Sequence, residues 1–207
     1  MISFSHFYVF ALWTMFGLQH SILARPFFKN LIKRLLGEKF QVYIYPLIYF
    51  ISQCIVFLIA YDLIRNIKPS YIFFSPSETY THIIYYFNRL SNIFLILTVF
   101  HFDVSTFTGF SQFSKFFSRS KKLKPYSQEI NTSYLYRYIR HPMYLGILLV
   151  FITSTTVYSD LFFVNLFSII LYIDIGSYFE EKSLIKKFGE NYIIYQSKTF
   201  KYFPFLR

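Results

Sequence analysis

The chain has 207 residues, of which 55% are hydrophobic and only 15% are charged. Soluble domains carry about 25% charged residues, so this composition excludes a disordered chain and disfavours an ordinary soluble domain. The single cysteine, Cys54, excludes an intrachain disulfide and a thiolate metal cluster, and we predict no metal site. A net charge of +11 would suggest a nucleic-acid partner in a soluble protein. In an apolar chain the same charge can instead reflect membrane topology, and the distribution of the basic residues distinguishes the two interpretations.

Five apolar segments are candidates for membrane spans, because a helix needs about 20 residues to cross the bilayer core. They are residues 1–24, 40–61, about 85–107, 141–159 and 161–179. The first has no basic residue before its apolar run and is long for a signal peptide, so we expect it to remain as a span. The third holds Arg89 and Asp103 near its two ends, and the fifth is interrupted only by Asp174. The short junction at Ser159 and Asp160 predicts a tight helical hairpin.

The basic residues alternate between the predicted loops. Five lie between the first two segments, two or three between the second and third, seven between the third and fourth, and six after the fifth. The positive-inside rule therefore predicts an integral protein of a bacterial inner membrane, with its N-terminus outside and its C-terminus in the cytoplasm. The charge then reflects topology and attraction to anionic headgroups of the lipid bilayer, and we expect no nucleic-acid partner. The oligomeric state stays open.

These patterns predict one all-α domain over residues 1–207, a polytopic membrane helical bundle of about five transmembrane helices. Residues 1–113 would hold the first three spans, 114–140 a cytoplasmic loop, and 141–207 a helical hairpin with the C-terminal tail. Large apolar residues recur at helical spacing after the fifth segment, which predicts a cytoplasmic amphipathic helix. Gly189 weakens that helix near its middle.

Three clusters of polar residues lie at membrane ends that face the cytoplasm in this topology. They are Gln19-His20-Ser21 with Arg25, the run from Arg140 to Gly146, and Glu180-Glu181. Unpaired charges at this depth are costly, so the clusters are expected to pair or to bind a ligand. Each also fits a structural role when taken alone; Pro142, for example, suits the first turn of a helix. An antiparallel hairpin would bring His141 and Tyr144 close to Glu180 or Glu181, forming a pocket with cationic and anionic walls.

The run Arg140-His141-Pro142-Met143-Tyr144-Leu145-Gly146 resembles the Arg-His-Pro-x-Tyr-x-Gly signature of the isoprenylcysteine carboxyl methyltransferase superfamily. The tail, from Glu180-Glu181 through Phe188-Gly189-Glu190 to Phe203-Pro204, is also similar. The resemblance implies a membrane enzyme that holds S-adenosylmethionine between this hairpin and the tail. The residues expected to bind the cofactor are Arg140, His141, Pro142, Tyr144, Gly146, Glu180, Glu181, Tyr192 and Tyr195.

Each part of that cofactor has a candidate partner in this set. Glu180 or Glu181 would hold the ammonium group, and Arg140 would hold the carboxylate in a bidentate geometry. His141 would orient one of these groups. A tyrosine, Tyr144, Tyr192 or Tyr195, would face the adenine or the sulfonium. The sequence has no glycine-rich Rossmann motif, which excludes the fold of the soluble methyltransferases.

The segment from Gly17 to Lys29 resembles the start of the methanethiol S-methyltransferases, which make dimethyl sulfide. We therefore predict methyl transfer to a small thiol such as methanethiol. Methyl transfer requires the thiolate, so His20 is expected to accept the thiol proton, with Gln19 and Arg25 shaping the site. One departure concerns the run after the third segment, where Ser111 stands in place of the arginine usual in these enzymes.

Other functions remain open at this point. The C-terminal half also fits an isoprenylcysteine carboxyl methyltransferase, and a phospholipid methyltransferase is a third possibility. A non-catalytic alternative is a small membrane carrier or an accessory protein of nitrogen-oxide metabolism. A carrier would show repeated halves and helices broken at mid-membrane, and this sequence shows neither.

Overall fold

The computed structural model describes residues 3–100, 103–118, 130, 132 and 134–203. Residues 119–129, 131 and 133 of the predicted cytoplasmic loop, the His101-Phe102 pair and Pro204 lie outside the described residues. The described residues cluster into two compact units. One lies within Met1–Lys68 and Phe102–Pro125, and the other within Pro69–His101 and Tyr126–Arg207.

Helices make up nearly all of both units. In chain order the elements are α1 (Phe4–Ala24), α2 (Pro26–Leu36), a π-helical turn (Phe40–Ile44), α3 (Tyr45–Arg65), β1 (Ile72–Phe74), α4 (Glu78–Phe100), α5 (Val104–Phe107), α6 (Phe110–Phe117), a 3₁₀ turn (Tyr134–Arg137), α7 (Pro142–Thr153), β2 (Tyr158–Ser159), α8 (Asp160–Phe188) and α9 (Glu190–Lys198). The predicted all-α class is confirmed.

Among the described residues, four helices are long and apolar enough to cross a membrane. They are α1, α3 together with its π turn, α4 and α8. The fourth predicted segment differs, because its helix α7 has only 12 residues. At 1.5 Å per residue α7 is roughly 18 Å long, less than the roughly 30 Å of a bilayer core. The helix ends at Thr153, where the chain turns toward β2.

In the first unit, tyrosines of α3 bind the last turn of α1. The Tyr45 hydroxyl donates to the carbonyl of Leu23 over 2.7 Å, and the Tyr49 hydroxyl donates to the carbonyl of His20 over 3.3 Å. Carbonyls in the last turn of a helix lack intrahelical donors. The Tyr45 hydroxyl therefore satisfies one carbonyl at the end of α1, and both hydroxyls fix α3 against it.

The first unit also depends on a close approach at Gly109, just before α6. A Cβ atom on this residue would lie 2.4 Å from the backbone nitrogen of Leu47 in α3. Its φ of +82° is also in the region that favours glycine. Both constraints require glycine here, and they let α6 pack on α3 and its π turn. That turn precedes Pro46, which lacks the N–H that a regular α-helical turn would use.

In the second unit, α4 packs along α7, although the sequence analysis grouped α4 with the N-terminal spans. The side-chain amide of Asn88 donates to the hydroxyl of Thr153 over 3.2 Å. The helix begins at Glu78, earlier than the position near residue 85 expected from the apolar run. Because α4 and α7 belong to one unit, the start of α7 is held against a long helix.

The second unit contains a short antiparallel strand pair that the sequence analysis did not predict. β1 pairs with β2 in the register Ile72 to Ser159 and Phe74 to Tyr158. The junction predicted at Ser159 and Asp160 is where α8 begins. The Ser159 hydroxyl caps this helix by accepting a hydrogen bond from the backbone N–H of Phe162. The predicted tail helix is divided, because α8 continues to Phe188 and the chain bends at Gly189 with a φ of +60°.

Candidate active site

The C-terminal tail returns to the start of α7 through backbone hydrogen bonds. The backbone N–H of Phe200 donates to the carbonyl of Tyr138 over 2.9 Å, and the N–H of Arg140 donates to the carbonyl of Phe200 over 2.8 Å. The N–H of His141 then donates to the carbonyl of Lys201 over 3.1 Å. This short parallel pairing brings the Arg140-His141 pair, the tail and the end of α8 together.

Arg140 forms the central ion pair of this region. Its Nε donates to Oε1 of Glu181 over 2.7 Å, and the two side chains are only 8% and 13% exposed. Its Nη1 donates to the backbone carbonyls of Gln196 and Thr199 over 3.1 and 2.5 Å. The amide nitrogen of Gln196 in turn donates to Oε2 of Glu181 over 2.9 Å. Arg140 and Glu181 thus bind each other and the tail.

His141 and Glu180 complete the predicted cluster. The Nε2 atom of His141 lies 3.1 Å from Oε1 of Glu181, and the imidazole stacks on the Tyr144 ring with centroids 5.3 Å apart. The Tyr144 hydroxyl donates to Oε2 of Glu180 over 3.0 Å. Glu180 is 48% exposed, in contrast to buried Glu181. The structure therefore brings both acids to His141 and Glu181 also to Arg140, while Glu180 presents its carboxylate to the outside.

Pro142 and Gly146 have packing positions in α7. Pro142 is fully buried in the first turn of the helix, where its missing N–H costs no hydrogen bond. A Cβ atom on Gly146 would lie 3.1 Å from the Cα and from the Cδ1 atom of Leu95 in α4. Gly146 thus allows α7 to approach α4 closely.

The two predicted tyrosines of α9 face inward. Tyr192 is buried, and burial raises its pKa. The Tyr195 hydroxyl donates to the carbonyl of Tyr136 over 2.6 Å. Burial is the main cause that raises the pKa of Tyr195 to about 12. Both phenols therefore stay protonated at neutral pH, and Tyr195 links α9 to the segment before α7.

Several residues that hold the tail on α8 were not predicted from the sequence. The ammonium group of Lys201 lies 2.6 Å from Oδ1 of Asp174, and the Tyr202 hydroxyl forms a hydrogen bond with Ser177, which is fully buried. Burial alone would lower the pKa of Lys201, but its bonds to Asp174 and Tyr202 raise the pKa overall. Asp174, an acid inside an apolar segment, was the signal that such a partner exists.

Gln19, His20 and Arg25 lie in the first unit, at the end of α1. The His20 ring lies between aromatic rings, with centroids 5.7 Å from Tyr49 and 6.1 Å from Phe16. The Oε1 atom of Gln19 is buried and accepts no hydrogen bond within the described part of the chain. Arg25 is the residue between α1 and α2, and its N–H donates to the carbonyl of Ile22.

Comparison with known proteins identifies the family to which this chain belongs. Residues 87–191 match the family model described as phospholipid methyltransferase, a stretch that contains the Arg140 and Glu180-Glu181 motifs. The chain is 30% identical to a methanethiol S-methyltransferase of Crocosphaera subtropica over 199 residues, which covers 93% of this chain and 72% of that protein. It is 40% identical over 85 residues to the enzyme of the same name from Pseudomonas deceptionensis, covering 41% of this chain but only 32% of that protein.

A third relative, a methanethiol S-methyltransferase of a Pseudomonas species, is 30% identical over 188 residues and 68% of its length. No solved structure has significant similarity to the chain. The matched family model covers about half of the chain, and the Crocosphaera subtropica enzyme aligns with this chain over most of both proteins. The chain therefore belongs to the phospholipid methyltransferase family and is an integral membrane methyltransferase related to the methanethiol S-methyltransferases.

Proposed function

We propose that the chain transfers a methyl group from S-adenosylmethionine to a small thiol such as methanethiol, giving dimethyl sulfide. The proposal depends on the arrangement of the two adjacent acids, Glu180 and Glu181. Glu181 is neutralised by Arg140 and His141 inside the protein, while Glu180 remains half exposed beside Tyr144. One acid therefore builds the site, and the other is available to a cation.

The residues fit the polar head of S-adenosylmethionine. An exposed carboxylate held by a phenol suits its ammonium group, so Glu180 is the proposed contact. A sulfonium cation binds over the face of an aromatic ring, and the face of the Tyr144 ring that does not stack on His141 is the proposed contact. When bound, the cofactor would supply an electrophilic methyl group, whose bond to the sulfonium sulfur breaks as the thiol sulfur bonds to it, leaving S-adenosylhomocysteine.

Arg140 has a different role in this proposal from the one expected from the sequence. Its Nε and Nη1 atoms already bind Glu181 and the tail carbonyls. We therefore assign Arg140 as a positioning residue that holds Glu181 and the tail in place. His141, which also binds Glu181, would act in the same way and orient Tyr144 through its stacked ring.

On the thiol side, the proposed proton acceptor is His20. A thiol must lose its proton before its sulfur can attack, and histidine titrates near neutral pH. The buried amide oxygen of Gln19 accepts no hydrogen bond from the described residues. This supports a role for Gln19 as acceptor for a polar hydrogen of the substrate, because buried acceptors are rarely left without a donor. Arg25 would set the charge at this helix end.

The proposed topology places the N-terminus outside and the C-terminus in the cytoplasm of the inner membrane. It needs five crossings, so α7 and the chain up to β2 together make the fourth. The pairing of β2 with β1, which follows α3, supports this because it returns the chain to the side where β1 lies. The basic residues support it, since the stretch between α1 and α3 carries five of them, whereas only two, Arg65 at the end of α3 and Lys68, lie near the connection from α3 to α4. The Arg140 cluster would then be reached from the cytoplasm, where S-adenosylmethionine is made and used.

A second candidate function is methylation of a phospholipid amine, because the family model that matches residues 87–191 is named for that activity. The deciding experiment supplies S-adenosylmethionine with a labelled methyl group to vesicles that contain the purified full-length chain. Methanethiol, hydrogen sulfide, phosphatidylethanolamine and a prenylated cysteine are offered in separate reactions. We expect label in dimethyl sulfide, and label only in a lipid or a prenylcysteine ester would overturn the thiol assignment.

A further inference from the structure

Helix α2 has two distinct halves around its axis. At 100° per residue, its six apolar side chains occupy one half and its basic residues with Asn30 occupy the other. The apolar residues are Phe27, Phe28, Ile32, Leu31, Leu35 and Leu36. Phe28 faces the protein and contacts Tyr45 of α3, with ring centroids 6.2 Å apart. Phe27, Leu31 and Leu35, spaced four residues apart along one edge of the apolar half, are 63%, 43% and 69% exposed, so this apolar edge has little protein cover among the described residues.

The position of α2 between two membrane-spanning helices indicates what its exposed apolar edge contacts. It follows α1 after a single residue, and Gly37 turns the chain into the segment that begins α3, both of which are long enough to span a membrane. An 11-residue helix between the ends of two spans cannot cross the bilayer itself. A basic amphipathic helix in that position lies along the membrane surface, with its apolar edge among acyl chains.

Beside α2 lies a cavity of about 910 Å³ within the first unit. Lys39 and Lys115 line it, together with apolar atoms of Leu36, Tyr43 and Phe116. Glu38 is the one acid among the described lining residues, and Lys33 holds it in an ion pair of 3.0 Å. The cavity thus combines cations with an apolar wall, and its own acid is already neutralised.

We propose that α2 is an interfacial helix and that the adjacent cavity binds the headgroup of an anionic phospholipid. Lys39 and Lys115 bind the phosphate, and an acyl chain lies along the exposed apolar edge of α2. Five basic residues and one acid between Arg25 and Lys39 give this surface the charge that anionic lipids attract. The inference concerns the first unit alone and is independent of the methyl acceptor.

The placement of α2 is tested with nitroxide labels on the full-length chain, in a Cys54→Ala background. Leu35→Cys and Asn30→Cys lie on opposite halves of α2, and neither substitution changes the charge. In vesicles of phosphatidylcholine and phosphatidylglycerol, we expect the label at 35 to collide with oxygen and the label at 30 to collide with a water-soluble nickel chelate. Equal exposure of both labels to the chelate would overturn the proposal. A label at 35 that neither reagent reaches would also overturn it, because protein would then cover this edge.

The headgroup site is tested by the preference of the reconstituted protein for spin-labelled phosphatidylglycerol over spin-labelled phosphatidylcholine. We expect the variant Lys39→Gln with Lys115→Gln to reduce this preference by roughly twofold to fivefold. The control, Arg65→Gln with Lys68→Gln, removes the same charge near the opposite ends of the spans and should leave the preference unchanged. Equal effects of the two variants, or loss of the preference on adding glycerol phosphate, would contradict a lipid site in this cavity.

Discussion

Arg140 and Glu181 form a buried ion pair of 2.7 Å between residues 41 positions apart. The pair joins the start of α7 to the end of α8, and the remaining bonds of Arg140 reach the carbonyls of Gln196 and Thr199 in the tail. Because both charged groups are almost fully buried, removing either one would leave the other as an unpaired buried charge, which destabilises the fold. This pair therefore organises the methyltransferase motif from within.

Arg140→Lys should release the tail from the start of α7. A lysine keeps the charge but has no planar fork, so it cannot bind Glu181 and two carbonyls together. We expect a loss of about 1.5 to 3 kcal/mol in the free energy of unfolding, measured by thermal or denaturant unfolding in detergent micelles. Arg137→Lys, at an exposed position three residues earlier, is the control. Equal stabilities of the two variants would show that the fork of Arg140 does not hold the tail.

Gly146→Ala should separate α7 from α4. The added methyl group would lie 3.1 Å from Leu95, and overpacking of this kind costs about 1 to 3 kcal/mol. Gly176→Ala in α8 is the matched control, since its Cβ atom would meet no atom within 4 Å. We expect a lower unfolding temperature for the first variant only. If the two alanine variants unfold at the same temperature as the unmodified protein, the close approach at Gly146 is not required.

Tyr195 should make the second unit less stable at alkaline pH. Its pKa is raised to about 12 in the folded protein, compared with about 10 for an exposed tyrosine. The folded state therefore holds the phenolic proton more tightly, so this stabilisation is present in full below pH 10 and is lost as the pH rises through 12. Tyr195→Phe should show a smaller fall in unfolding temperature over this range. Tyr138→Phe, at an exposed ring, should fall like the unmodified protein.

His20→Ala should lower kcat without unfolding the first unit, because the Tyr49 hydroxyl binds the His20 carbonyl and not its ring. A general base contributes about 100-fold to 10,000-fold in rate, so we expect a loss of about 100-fold or more at saturating thiol. The deficit should shrink as the pH rises, since an ionised thiol needs no base. The control is His82→Ala, at an exposed position in α4. A pH-independent deficit would point to a structural role for His20.

Some features of this fold follow directly from the order of residues. The spans at α1 and α3 were predicted because long charge-free runs leave little alternative to a membrane helix. The meeting of His141 with the Glu180-Glu181 pair was also predictable, because a short connection makes two helices antiparallel and places the start of one beside the end of the other. Local sequence and helix geometry were sufficient in these cases.

Other features depend on contacts that no local pattern encodes. The charge-free run at residues 141–159 suggested a full span, but α7 stops at Thr153 and the chain forms a strand instead. The return of the tail to Arg140 uses backbone atoms of residues 199–201, which carry no side-chain signature. Glu180 is more exposed than Glu181 because Arg140 pairs with Glu181. The sequence does not predict which of two adjacent glutamates forms that pair.

The most direct test of this account is calorimetric titration of S-adenosylmethionine into the reconstituted protein carrying Glu180→Gln. Loss of a charged hydrogen bond should weaken binding by about tenfold to 100-fold, with no change in unfolding temperature because Glu180 is half exposed. Glu190→Gln, at an exposed acid of α9, should bind with the unmodified affinity. An unchanged affinity of Glu180→Gln would contradict the assignment of this carboxylate to the cofactor, and with it the proposed site.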